Sequence, residues 1–429
     1  MALGVNTIIG SGIFGLPAEA FRRAGVWSIL AFGVCAVLVC IIVLCFAEVS
    51  SRFTGTGGPY LYARAAFGRL VGFEVGWLIF IARLTAFAAS CNLFISYLAY
   101  FWPPAADGPI RAGIISVIVA ALTALNLSGV RNSTTASNFF TVAKLLPLLF
   151  FIGAGLFFLR PGAYQAGPLP GFGDFSVAVL LLVFAFSGFE LATITAGEAR
   201  NPQRDVPPAL LLAIGIVVTV YILIQVVAIG TLAGDELARS DRPLADAASG
   251  FLGPAGGAIV SGGALVSIGG NLLVVMLVTP RVLYAMAERS ELPSWLASVH
   301  PRTRVPSSAI LLTAVAMLIL TLSGTFVYAA TISVIARLLV YGSTCVALPV
   351  LRRKPDAPPA SFRVSGGVGM AGIALLLSGW LLTRTTAGQL RDSAIAMAIG
   401  LALYGLGRMG KPGGDTQGPS APAGSREAP

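Results

Sequence analysis

Four ionisable side chains stand where an apolar chain should carry none. Arg83, Lys144, Glu190 and Arg337 each lie well inside a long hydrophobic stretch. Charge surrounded by hydrocarbon is expensive, so each of these residues marks a pathway, a relay or an ion pair by default. Two hydrophobic stretches are also interrupted near their middles. Asn6-Thr7-Ile8-Ile9-Gly10-Ser11-Gly12-Ile13-Phe14 and Phe184-Ala185-Phe186-Ser187-Gly188-Phe189-Glu190 place small, helix-poor residues where an unbroken helix is needed. A break at membrane depth survives only when it is buried in protein or lines a wet cavity, because unpaired backbone groups are costly in lipid. Interruptions at matching places in two halves of a chain point to the binding site of a transporter.

The half-helix that begins after a break exposes N–H groups and a positive dipole end, whereas the half that ends before it exposes C=O groups. An amino acid carries a carboxylate and an ammonium on neighbouring atoms, which suits one end of each kind. The carboxylate is expected on the N–H groups around Ser11, Gly12 and Ile13. The ammonium is expected against carbonyls near Ile8 and from Phe184 to Ser187, with Gly188 completing the second break. Gly10 and Gly12 permit close approach, and Ser11 adds a hydroxyl. The competing reading makes these glycines packing points between helices, which are common in membrane spans. On the binding reading, Gly12→Val is expected to block access to the backbone without unfolding the protein.

The elements that position these groups are membrane spans. Of the 429 residues, 56% are hydrophobic and 11% are charged, with mean hydropathy +0.86. Soluble domains carry about 25% charged residues. The apolar runs are continuous rather than alternating, which excludes a transmembrane barrel. At about 20 residues per span, twelve helices are expected, over 2–21, 27–52, 69–101, 110–130, 138–159, 175–197, 207–233, 253–285, 306–323, 327–350, 366–384 and 390–408. Residues 409–429 read as a disordered cytoplasmic tail. Ala18-Glu19-Ala20 resembles a signal-peptidase site, but no positive region precedes it, so cleavage is not expected.

With the N-terminus inside, inner loops hold sixteen of the 28 Lys and Arg residues and outer loops eight. That bias, with an even span count, places both termini in the cytoplasm. It also accounts for the +10 net charge without invoking nucleic acid. The five cysteines all fall in apolar spans, and His300 is the lone histidine. No metal, no cofactor and no enzymatic triad is expected. No Gly-x-x-x-x-Gly-Lys-Ser/Thr loop is present for ATP.

Spans 1 and 6 carry the breaks and lie five spans apart, so they cross the membrane in opposite directions. Two five-helix halves related by an in-plane pseudo-twofold would bring both breaks face to face at the midplane. Only nine residues precede Gly10, about 13.5 Å of helix, against about 15 Å for half a hydrocarbon core. The first half-helix is therefore minimal, or further residues precede Met1.

Ile9-Gly10-Ser11-Gly12-Ile13-Phe14-Gly15-Leu16-Pro17 resembles the first-helix signature of the amino acid–polyamine–organocation permeases. The Phe184–Glu190 run, followed by Ala196-Gly197-Glu198-Ala199-Arg200-Asn201-Pro202, resembles their sixth helix and the loop after it. Phe46-Ala47-Glu48 with Gly57-Gly58-Pro59-Tyr60 resembles their second-to-third helix connection. The resemblance runs from residue 1 to about 410. It implies an all-α, LeuT-like 5+5 inverted repeat: repeat 1 over about 1–160, repeat 2 over about 174–350, and accessory helices over 366–408.

It also implies secondary transport of amino acids across the cell (inner) membrane by alternating access. Proton symport or exchange would drive it, with the lipid bilayer as the other partner. An amine or polyamine antiporter, or a non-transporting sensor on the same fold, is the alternative. By position, Ile8, Ser11 and Gly12 match the family's substrate contacts. Phe184 matches an aromatic that stacks on or gates the substrate, Ser187 lies at a backbone-contact position, and Asn271 lies on the pocket-facing stretch of the eighth helix.

The four intramembrane charges then take roles. Glu190 resembles a sixth-helix acid that senses protons or couples binding to gating; a static ion pair is the competing reading. Lys144 resembles a fifth-helix lysine that replaces a sodium ion beside helices 1 and 8; snorkelling to the surface is its alternative. Lys144→Ala is accordingly expected to remove the pH dependence of uptake. Arg83, near the centre of span 3, either pairs with Glu190 or receives an acidic side chain. Arg337, in span 10, forms part of an outer gate or a structural ion pair.

Overall fold

The computed structural model describes residues 7–54, 57–129, 134–165, 167–194 and 201–409. Regular structure among them is entirely helical. Residues 195–200 of the loop after the second break and residues 410–429 of the expected tail lie outside the described residues, as does Asn6 of the first break. Eight helical runs are long and apolar enough to cross a membrane, and three shorter apolar helices accompany them.

Thr7 and Ile8 are helical, residues 9–11 bend, and α1 then runs over Gly12–Ala24. A short turn at Gly25–Trp27, where Gly25 takes a φ of 54°, separates α1 from α2 (Ser28–Ser50). The single apolar run Gly12–Ser50 thus contains two of the twelve expected spans. The short α3 (Pro59–Phe67) leads into α4 (Arg69–Leu98), followed by α5 (Gly108–Leu127) and α6 (Thr134–Gly155). The second broken stretch gives α7 (Phe172–Phe186) and α8 (Phe189–Ile194). Next come α9 (Pro202–Thr231), the one-turn α10 (Gly234–Arg239) and α11 (Pro243–Glu288). Gly253, at φ 69°, ψ −169°, kinks α11 near the point where the eighth span was expected to start. The chain closes with α12 (Ser307–Ser323), α13 (Phe326–Arg353), α14 (Gly367–Leu382) and α15 (Ala387–Met409).

Burial sorts these helices. In the most apolar stretch of α4, 89% of residues are buried, against 17% in α5 and in α15. A helix that is apolar and buried all round belongs in the core, and one left bare belongs against lipid. α4 packs most extensively on α13 and α11, and α7 lies against both α1 and α2. The two interrupted helices are therefore held in the interior, with α4, α11 and α13 facing them.

At the ends of α2 and α13, Glu48 accepts two hydrogen bonds from Arg352 (2.7 and 2.6 Å) and one from the Val364 N–H (2.9 Å). Glu291, after α11, pairs with Arg64 of α3 at 2.8 Å and accepts from the Tyr60 hydroxyl at 3.0 Å. These ties lock the connections around the core.

Candidate functional site

The two interruptions meet at one cavity. About 50 Å³ of it is open to the centres of water-sized molecules, room for roughly three to five waters. Its wall carries Thr7, Ile8, Gly10, Ser11 and Gly12 from the first break and Phe184, Ser187, Gly188, Glu190 and Leu191 from the second. Arg83, Ala86 and Ser90 enter from α4, Asn271 with three valines from α11, and Arg337 from α13. Of the residues expected at the site, ten stand on this wall. Ile13 does not; it is fully buried just inside α1. Lys144 also lies off the wall, behind the first break.

The first break leaves an open helix start. Ser11 precedes α1 but makes no side-chain cap to it. Its hydroxyl instead hydrogen-bonds the Ser90 hydroxyl at 2.8 Å, and the Asn271 amide donates to Ser90 at 3.4 Å. Uncapped N–H groups at a helix N-terminus form a ready anion site. The carbonyls released by the break are turned the other way. Ile9 C=O accepts from Lys144 Nζ at 3.4 Å, and the Tyr221 hydroxyl of α9 reaches both Ile8 C=O (3.3 Å) and Ala185 C=O (3.2 Å). Tyr221 thereby ties the carbonyl ends of the two breaks together.

The second break is arranged differently. Ser187 is extended, Gly188 takes a φ of 116°, and the Ser187 hydroxyl donates back to Phe184 C=O at 2.7 Å. The Gly188 N–H, which opens α8, donates to Glu190 Oε2 at 2.9 Å. Glu190 also accepts from the Tyr341 hydroxyl at 2.9 Å and is ion-paired with Arg337 through its other oxygen. The positive end at this break is thus already answered by a carboxylate of the chain itself. Only the first break keeps an unanswered one.

These contacts show how the charges are placed. Glu190 is ion-paired with Arg337 and makes no such pair with Arg83. Arg337 also has Ser333 Oγ at 3.2 Å from its Nε. Lys144 is 3% exposed, so it does not snorkel to the surface. Phe184, on the cavity wall, meets Phe326 at the start of α13 edge-on, with ring centroids 6.2 Å apart.

The glycines divide by environment. A Cβ on Gly12 would stand 2.6 Å from Ala185 Cα, so Gly12 is a packing point between α1 and α7 even though it borders the cavity. A Cβ on Gly188 would collide with the Thr7 carbonyl. The expectation that Gly12→Val spares the fold is therefore corrected. Gly12→Val is expected to destabilise the protein by about 1–3 kcal/mol through overpacking, seen as a lower Tm in detergent. An unchanged Tm would show that α1 and α7 can part without cost. Gly10 is the open position: its Cβ would lie 3.6 Å from the Asn271 amide, an ordinary contact.

Ser90, Tyr221 and Tyr341 were not anticipated. Their only signal was a polar atom in mid-span, as in Ser90-Cys91-Asn92. Such an atom can equally well bond its own helix, as Asn92 does to Ala88 C=O. Thr7 was quoted in the first break but given no role. Among the described residues, no cluster of His, Cys, Asp and Glu could hold a metal.

A family model described as amino acid permease matches residues 1–403. The chain is 30% identical over 415 residues to an uncharacterized transporter of Mycobacterium tuberculosis, covering 95% of this chain and 90% of that protein. It is 28% identical over 411 residues to a serine/threonine exchanger of Bacillus subtilis, covering 94% and 93%. A branched-chain amino acid permease of Bacillus subtilis is 27% identical over 430 residues, covering 94% and 90%.

Proposed function

This chain belongs to the amino acid permease family, within the amino acid–polyamine–organocation superfamily, as a multi-pass membrane protein and not an enzyme. From that premise, we propose that it moves amino acids across the cell membrane by alternating access, as a secondary transporter driven by proton symport or exchange. The observation that carries the reading is the cavity between the two breaks, with an uncapped helix start on one wall and turned-out carbonyls beside it.

In this reading the substrate carboxylate sits on the first N–H groups of α1, with Ser11 and Asn271 alongside. Its ammonium faces the carbonyls around Ile8 and the Phe184–Ser187 end of α7. The Ile8 and Ala185 carbonyls each keep a second lone pair beside the Tyr221 contact, whereas the Phe184 carbonyl is taken up by the Ser187 N–H and hydroxyl. Phe184 closes over the substrate, and Glu190 with Arg337 holds the second break in shape. The twelve spans form two inverted five-helix repeats with α14 and α15 accessory, both termini cytoplasmic. That arrangement makes the breaks antiparallel at one depth. The similarity to a serine/threonine exchanger supports exchange as a transport mode.

Uptake of labelled amino acids into proteoliposomes, with and without a pH gradient, tests the proposal. Saturable uptake that a gradient or internal amino acid accelerates is the expected result. Binding without flux would replace the transporter by a sensor.

Lys144 is the coupling candidate, because its ammonium faces a carbonyl released by the break and is itself buried. Loading and unloading a proton there would strengthen and weaken that bond. Lys144→Ala is expected to remove the pH dependence of uptake. A pH profile identical to wild type would make Lys144 purely structural.

A further inference from the structure

The charges on the cavity wall do not balance. Arg83 and Arg337 face one carboxylate, Glu190. Both Glu190 oxygens are engaged, one by Arg337 and the other by the Gly188 N–H and the Tyr341 hydroxyl. Arg83 makes no direct hydrogen bond or ion pair to Glu190, although the two line a common void. It is 5% exposed, and its Nη2 is buried without a hydrogen-bond partner among the described residues. A guanidinium left with unmet donors in a dry interior carries a heavy desolvation cost, which an anionic ligand group would offset. Arg83 also borders a second void of about 10 Å³, enough for about one water. Glu190, Arg337 and Tyr341 line that void too, so a water there would bridge Arg83 to the ion pair, and the two arginines with one carboxylate would still carry a net charge of +1.

Position says which ligand group this is. Along α4, Arg83, Ala86 and Ser90 share the cavity-facing stripe at helical spacing. Ser90 is bonded to Ser11 beside the open start of α1. Seven residues along a helix is about 10.5 Å, so the guanidinium and the helix start are rooted well apart on one wall. The cavity therefore offers two anion positions at separate places and one set of carbonyls. We propose that the substrate is an amino acid with an anionic side chain, its α-carboxylate on α1 and its side-chain carboxylate on Arg83. This rests on the transport reading above and narrows it to dicarboxylic amino acids. Aspartate and glutamate are the amino acids of that kind, and a bound ligand of net charge −1 neutralises the wall.

Aspartate against asparagine, and glutamate against glutamine, supply the test, since each pair matches in size and differs in charge. Affinities are read by thermal shift and by competition with uptake, on wild type, R83Q and R83K. Wild type is expected to bind each acid at least about tenfold more tightly than its amide, the scale of one charge-assisted hydrogen bond. R83Q is expected to lose that preference while binding the amides as before, and R83K to keep a reduced preference. Equal wild-type affinity for acid and amide overturns the inference, as does an R83Q variant that keeps the wild-type ratio. A uniform loss of acids and amides alike would place Arg83 on the α-carboxylate instead and also overturn it. If R83Q does not fold, the wild-type ratios and R83K decide. Neutral amino acids binding without the acids would sink this inference alone, whereas no amino acid of any class binding wild type would sink the transport reading itself.

Discussion

Gly10→Val is expected to weaken substrate binding strongly while the protein stays folded. Gly10 lies in the bend between the helical residues 7–8 and α1, and its backbone does not need a positive φ. A Cβ there meets only the Asn271 side chain, 3.6–3.8 Å away. The valine methyls then take up space in a cavity with about 50 Å³ to give. Overpacking costs about 1–3 kcal/mol, and it falls on the bound ligand rather than on the fold. That corresponds to a loss of affinity of roughly 5- to 150-fold. Labelled uptake and Tm, measured on the same preparation, separate the two effects. Normal uptake by Gly10→Val would mean that the substrate passes elsewhere. The contrast with Gly12→Val is part of the result: two glycines two residues apart, one governing ligand space and the other helix contact.

The second large effect is expected at the buried ion pair. Removing Arg337 as Arg337→Met leaves the Glu190 carboxylate without its cation, and breaking such a pair from one side costs about 3–5 kcal/mol. The Gly188 N–H and the Tyr341 hydroxyl remain but carry no full charge. Combining Arg337→Met with Glu190→Gln removes both charges, and most of the lost stability is expected to return. The measurement is a double-mutant cycle on unfolding in detergent. If the two substitutions simply add, Glu190 and Arg337 act independently and the pair does not organise the second break.

Much of the architecture was legible because lipid is an unforgiving solvent. Continuous apolar runs could only be helices, and Gly10-Ser11-Gly12 and Ser187-Gly188 read either as breaks with something wet or protein-covered beside them or as packing points between helices. The four intramembrane charges announced themselves by being costly. The sequence did not reveal their partners. Glu190 and Arg337 are 147 residues apart, and Arg83 was an equally good partner until α13 was seen to bring Arg337 closer. Ser90 and Tyr221 were hidden because one hydroxyl in an apolar span has the same signature whether it faces lipid, its own helix or a cavity.

Residue type and order alone determined that this chain spans a membrane many times and that two of its apolar stretches break. These are one-dimensional facts, set by the cost of exposing backbone and charge to hydrocarbon. The tertiary structure decided that the breaks are unequal. Glu190 closes the positive helix end at the second break, while Ser11 turns away to Ser90 and leaves the one at α1 open. It also decided that Gly12 is packed and Gly10 is open, and that Arg83 stands on the cavity wall outside the Glu190–Arg337 ion pair. Each of these depends on which atoms from distant segments lie within a few ångströms of one another, a distance that spacing along the chain does not encode.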